Sequence, residues 1–197
     1  MKRTRPSSAI DRRSRANGFT LVELLVTIAI AAVLLMIAAP SARDALAGRA
    51  VASQAGELLD AMHFARAEAI KRSAQVTICK SAGGAAPTCS TSSADNWHYW
   101  IVFADYNGDG AQGAGEPGLR VQNAPQGNVN GPVATPGIDF VRFQANGLAI
   151  PSTAGNVVIA FQPVIPATNP NFQRYTRQVC LNTQGRAEAI DGTGTCP

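Results

Sequence analysis

Phe19 to Ala39 reads FTLVELLVTIAIAAVLLMIAA, twenty-one residues that carry one charge, Glu23. As a helix rising 1.5 Å per residue this run extends about 30 Å, the thickness of a bilayer's hydrocarbon core. The residues before it are basic: Lys2, Arg3, Arg5, Arg12, Arg13 and Arg15 stand against the single acid Asp11. Basic flanks stay on the cytoplasmic side, so the sequence predicts a single-pass segment with its N-terminus inside and the rest of the chain outside. Two ordinary readings compete. A secretory signal places its small-residue cleavage site after the apolar run, whereas here the small residue, Gly18, precedes it. A plain membrane anchor leaves Glu23 unexplained, because a carboxylate in lipid costs several kcal/mol and tends to be functional.

The basic leader also corrects the global charge. The chain of 197 residues has a formal net charge of +4. Six cations and one anion give the first 18 residues +5, which leaves −1 for the remainder. A body this close to neutral does not carry the electrostatic signature of a nucleic-acid-binding domain. Charged residues make up 15% of the chain, against about 25% in soluble proteins, as a long apolar segment requires.

Gly18-Phe19-Thr20-Leu21-Val22-Glu23-Leu24-Leu25, between a basic leader and an apolar run, resembles the type III signal of type IV prepilins and pseudopilins. The resemblance implies that a prepilin peptidase cuts between Gly18 and Phe19 and that Phe19 becomes N-methylated. It implies that Glu23, fifth after the cut, pairs with the terminal amine of a neighbouring subunit. Pro40 falls where pilins often carry a helix-bending proline. The physics agrees: cleavage leaves a cation at the edge of an apolar helix, and packed apolar helices need a register device. A buried amine–carboxylate pair provides one, since either charge alone is strongly unfavourable in hydrocarbon.

Residues 41–72 continue as an amphipathic helix. Leu58, Met62, Ala65 and Ala69 recur on one stripe, the spacing of a face that packs on a sheet. The whole helix, 19–72, would be about 80 Å long. From residue 74 the pattern becomes short strands separated by turn signals: Gln75–Lys80, Trp97–Ala104, Leu119–Gln122, Ile138–Gln144, Val157–Gln162, Tyr175–Leu181 and Arg186–Ile190. Asn146-Gly147 and Asn182…Gly185 mark two hairpin turns. No helix-length periodicity follows residue 74, and Gly- and Pro-rich linkers fill 81–95, 123–137 and 163–171. The expected fold is α+β and pilin-like, a long N-terminal helix packed on an antiparallel β domain. Its parts are a cleaved leader (1–18), a transmembrane half-helix (19–39), an amphipathic half-helix (40–72) and a globular domain (73–197).

The four cysteines, Cys79, Cys89, Cys180 and Cys196, lack metal-site spacing. Three disulfide connectivities are open; Cys79–Cys89 with Cys180–Cys196 is favoured because each closes a short loop, worth about 3 kcal/mol on the chain-entropy model. Disulfides place the domain in an oxidising compartment, the periplasm.

The globular half also resembles the GspH/FimT group of minor pilins. The matching stretches are Trp97…Trp100-Ile101-Val102-Phe103-Ala104-Asp105, the loop from Asp105 to Glu116, Phe143…Asn146-Gly147 and Cys180…Gly185-Arg186. The resemblance implies a low-abundance subunit that primes or caps a type IV pilus, or the equivalent subunit of a type II secretion pseudopilus. Its partners would be other pilins through the N-terminal helix, the prepilin peptidase and the inner membrane, before it joins a filament at the cell surface.

Two further patterns carry possible chemistry. Asp105-x-Asn107-x-Asp109-Gly110-x5-Glu116 matches a calcium-loop pattern. A strand rather than a helix is expected before it, so a calcium site competes with an acidic turn built on Asp, Asn and Gly. Some pilins of the resembling group take up DNA and carry Gly-Arg-x-Arg. Here Gly185-Arg186-Ala187-Glu188 replaces the second arginine with an acid, and Arg174, Arg177 and Arg186 are the cations left to form a patch. No hydrolase, metalloprotease or nucleotide-binding motif is present, and the two histidines, His63 and His98, lie far apart. The expected protein is not an enzyme and requires no cofactor.

Overall fold

The computed structural model describes residues 19–84, 86–122, 129–134 and 137–196. The leader, Gly18 and the greater part of the 123–137 linker lie outside the described residues. The chain divides into two compact units, Met1–Pro40 and Ser41–Pro197.

The first helix, α1, is assigned from Leu21 to Arg72, and in the first unit it comprises the apolar run. Thr20 begins it: its Oγ1 accepts the Glu23 backbone N–H at 3.2 Å, and its carbonyl accepts the Leu24 N–H at 3.1 Å. A hydroxyl before the first turn with Glu three residues later is the capping-box arrangement, which satisfies N–H groups that no helical carbonyl can reach. The apolar side chains that follow are exposed on all sides, from Phe19 at 79% to Met36 at 77%. Among the described residues no single helix is long and apolar enough to cross a membrane; Leu21–Met36 passes only together with Ser41–Arg72.

In the second unit the rest of α1 buries a face against two antiparallel sheets. Val51, Ala55, Leu58, Ala61, Met62, Ala65 and Ala69 are all at most 1% exposed. This is the predicted stripe, widened by one neighbouring row. Alanine predominates on it because small side chains let the helix approach the sheet closely. The face ends at Glu68, whose carboxylate meets Arg72 at 2.6 Å and Lys71 at 3.1 Å. The Arg72 guanidinium, and secondarily the Lys71 ammonium, hold the Glu68 carboxyl below its ordinary range.

The strands are β1 (Val76–Lys80), β2 (Trp100–Ala104), β3 (Gly118–Gln122), β4 (Val129–Ala134), β5 (Phe140–Phe143), β6 (Ala149–Pro151), β7 (Val157–Pro163), β8 (Arg177–Leu181) and β9 (Ala187–Asp191), with a one-turn helix α2 (Phe172–Tyr175) before β8. One sheet has the order β3-β2-β1-β5-β6 and the other β4-β7-β8-β9. In β1, Val76 and Ile78 join the cluster under α1, while Cys79 faces a second cluster with Ile101 and Phe103. This is the period of two expected of a strand. Because both faces are covered, every residue of β1 is buried, Lys80 included. The Lys80 ammonium is matched by Asp139 at 2.8 Å and by the Ser92 carbonyl at 2.9 Å, as a charge in such a place requires.

Four elements depart from expectation. The segment expected as strand from Trp97 begins pairing only at Trp100; Trp97 is buried instead, its indole N–H donating to the Ile138 carbonyl at 3.3 Å. Tyr175 belongs to α2 rather than to the following strand. Strands β4 and β6 appear in regions expected as linker and hairpin return.

The two disulfides join Cys79 to Cys89 and Cys180 to Cys196, with Cα separations of 5.5 and 5.7 Å. The first fastens the 81–96 loop to the outer face of β1. The second ties the C-terminal segment to β8.

Candidate functional site

The N-terminal residues come first. Phe19 lies just ahead of the helix, and Glu23 occupies its first turn, the one acidic residue there. Thr20 fixes where the helix begins and therefore where Glu23 sits on it. The carboxylate is the only charged group among twelve exposed large apolar side chains between Phe19 and Met36. Gly18, the other half of the expected cleavage site, is outside the described residues, and Pro40 lies within the helix assignment at the boundary between the two units.

The Asp105–Glu116 loop is folded upon its own carboxylates. Asp105 is fully buried; its Oδ1 accepts the Gly108 N–H at 2.7 Å, and its Oδ2 accepts the Gly110 N–H at 3.1 Å and the Thr77 hydroxyl at 2.6 Å. Glu116 Oε1 accepts the Tyr106 N–H at 2.9 Å, and Oε2 accepts the Gly113 N–H at 2.7 Å. Asn107 and Asp109 bond to each other, with the Asp109 N–H donating to Asn107 Oδ1 at 3.0 Å. Gly108 and Gly110 have φ of +76° and +80°, and a Cβ at Gly110 would meet the Phe140 ring at 2.6 Å. The oxygens of the four residues expected as calcium ligands accept from N–H and O–H donors, as in an acidic turn. Among the described residues no group of three or more His, Cys, Asp or Glu is placed to hold a metal ion.

The expected arginine patch is split. Register pairs Arg177 with Asp191 at one end of the β8–β9 hairpin and Leu181 with Ala187 at the other. Arg174 and Arg177 therefore lie at the α2 end, and Arg186 lies in the opposite turn. Arg177 is bound to Asp191 at 3.0 Å and to the Arg174 and Thr176 carbonyls; Arg186 is 3.6 Å from Glu188. Neighbours in sequence were separated because the hairpin folds its two strands side by side, and the acids of β9 pair with Arg177 and Arg186.

What Gly185 does is structural. Gln144–Leu148 and Asn182–Arg186 form the same turn: the N–H of the fourth residue reaches the carbonyl of the first, and the first N–H reaches the carbonyl of the fifth. Gly147 and Gly185 occupy the positive-φ position in each, at +81° and +75°. The tips meet, since a Cβ on Gly185 would run into the Gly147 carbonyl oxygen. Arg66 of α1 donates to the Gln184 carbonyl at 3.1 Å, the Ala149 N–H donates to the Thr183 carbonyl at 3.0 Å, and His63 Nε2 lies 3.2 Å from the Ala187 carbonyl. One helix and two sheets are fastened at this point.

Residues 54–185, about two thirds of the chain, match the family described as type II transport protein GspH, and residues 13–39 match the prokaryotic N-terminal methylation motif. This protein belongs to the GspH family. Members are structural pilin or pseudopilin subunits and not enzymes. By fold the GspH-family chain is similar to a crystal structure of the type IV minor pilin FimU from Pseudomonas aeruginosa, with 17% identity, 71% of this chain and 87% of that one covered, and a TM-score of 0.52. A second crystal form of the same pilin gives 17% identity, 70% and 90% coverage and a TM-score of 0.46. No curated protein sequence matches the chain.

Within this GspH-family chain, the residues whose structural roles sequence reasoning passed over are Thr20, Gly48 and Arg66. Thr20 was readable from the Thr-x-x-Glu spacing. Gly48 has no local signal: it is needed because the Tyr175 ring lies where its Cβ would be. Asp44, one turn earlier, accepts from Asn169 at 2.8 Å, so α2 and its approach dock on the same stretch of α1.

Proposed function

We propose that this protein is a minor pilin-type subunit that assembles into a type IV pilus, which it primes or caps. One observation carries the reading: an exposed apolar helix whose first turn is capped by Thr20 and bears a lone carboxylate, Glu23. Such a surface is unfavourable in water and finds partners in a lipid bilayer and then among the equivalent helices of other subunits. A prepilin peptidase cleaves after Gly18, and the new amine at Phe19 is methylated. The amine pairs with Glu23 of a neighbouring subunit, which sets the axial register. Before assembly the chain rests in the inner membrane with its β domain in the periplasm, where both disulfides form. Calcium and DNA have no part in this reading. The test is recovery of sheared filaments from cells making the wild-type chain or Glu23→Ala. Wild-type subunits co-sediment with filaments, and the variant is cleaved but stays in the membrane. Equal recovery of both would remove the docking role.

A second reading, a pseudopilin of a type II secretion system, is favoured by the match to the type II transport protein GspH family. The two separate in a deletion strain: loss of surface pili supports the first, and loss of secreted proteins with pili intact supports the second.

A further inference from the structure

The described part of the globular unit holds a groove of about 550 Å³ at the C-terminal end of α1, within the ~300–1,000 Å³ range of small-molecule sites. None of the residues lining it carries a formal charge; Ser73, Gln75, Tyr106, Gln144 and Asn146 supply a hydroxyl, three amides and a phenol ring. Tyr106 is a large aromatic side chain left 59% exposed. Ser73 has φ of +51°, the one non-glycine with positive φ among the described residues. Gln75 Oε1 is buried without a hydrogen-bond partner, a state that proteins otherwise avoid. Asn146 Oδ1 is engaged by the Leu148 N–H at 3.0 Å, which leaves its N–H₂ group for other acceptors. At the end of α1, Glu68 is clasped by Lys71 and Arg72.

A rim of one exposed aromatic ring and several amides, with no net charge, matches one chemistry. The negative face of an aromatic ring attracts partially positive C–H groups, and amides supply paired donors and acceptors. A pyranose presents both: a C–H face for the ring and hydroxyls for the amides. An anion would find no formal charge among the lining residues, and an apolar ligand would leave the amides unsatisfied. We propose that this groove binds a neutral saccharide, with Tyr106 as its stacking platform and Gln144 and Asn146 as its hydroxyl partners. The site is independent of the assembly surface at the other end of α1.

Saturation-transfer NMR tests this on the processed full chain in lipid nanodiscs free of sugar detergent, with glucose, galactose, N-acetylglucosamine and maltose as probes. Transfer to at least one of the four is expected, with millimolar affinity on the order of 4 kcal/mol. Tyr106→Ala abolishes it, Tyr106→Phe retains it, Gln144→Ala weakens it severalfold, and Arg186→Ala leaves it unchanged. Transfer from none of the four, or transfer that survives Tyr106→Ala, overturns the proposal. Because Tyr106 is exposed, the alanine variant keeps the fold, and an unchanged circular dichroism spectrum checks this.

Discussion

Glu23 and Gly185 show how differently single residues act in this chain. Glu23 sits in the first helical turn among exposed apolar side chains, and the proposed function gives its carboxylate a role only when a second subunit arrives. Gly185 is the reverse. Its φ of +75° and the Gly147 carbonyl beside it leave no room for a side chain. Gly185→Ala is therefore expected to destabilise the domain by about 2–4 kcal/mol, from backbone strain plus displacement of the neighbouring turn, as read from chemical denaturation. Arg186→Ala, whose side chain is exposed, should change stability by less than about 0.5 kcal/mol. His98 adds a pH dependence. Burial disfavours its imidazolium, so its pKa in the folded chain lies below the ordinary 6.5. The unfolded chain takes up the proton first as pH falls, and stability declines there. The contribution is complete above pH 6.5 and is lost as pH drops towards the folded value. Thermal unfolding between pH 8 and 5 should show this decline, and His98→Gln, which keeps a polar partner for Gln54, should flatten it.

At the scale of elements, the sequence was legible where packing imposes a period. Leu58, Met62, Ala65 and Ala69 announced the buried face of α1, and the apolar run Val157–Phe161 announced β7. It was illegible where an element is too short or too irregular to have a period. Helix α2 is one turn, β6 is three residues ending in Pro151, and β4 contains Gly131 and Pro132, which argue against a strand. Two sites show what residue spacing alone leaves open. The acidic loop has the residue spacing of a calcium site, but Thr77 of β1 and the loop's own N–H groups satisfy its carboxylates. The arginines are near in sequence, yet the hairpin separates Arg177 from Arg186. In both cases contacts from outside the local pattern take part: Thr77 of β1 for the loop, and the register of β8 with β9 for the arginines. The disulfides act at this scale too. Cys180 and Cys196 are separated by 16 residues, so replacing both by serine should lower stability by about 3 kcal/mol and release the C-terminal segment. Limited proteolysis would then clip the tail of the variant before that of the parent.

For the whole molecule, the two units divide the work. The first presents an apolar helix with one carboxylate; the second is a disulfide-closed β domain fastened to the rest of α1 by polar contacts along its length, among them Asp44–Asn169, Arg66–Gln184 and His63–Ala187. A subunit of a filament needs both, an apolar element to pack inside and a folded domain that stays attached to it. Membership of the GspH family and a pilin-like fold agree with that division. The account depends above all on processing, because an uncut leader leaves six cations ahead of the apolar run and no free amine at Phe19. The decisive measurement is intact mass with N-terminal sequencing of the protein from membranes of cells that contain prepilin peptidase. The account predicts a chain that starts at N-methylated Phe19, with its mass lowered by two hydrogens for each of the two disulfides. A chain that starts at Met1, or beyond Ala39, would contradict it.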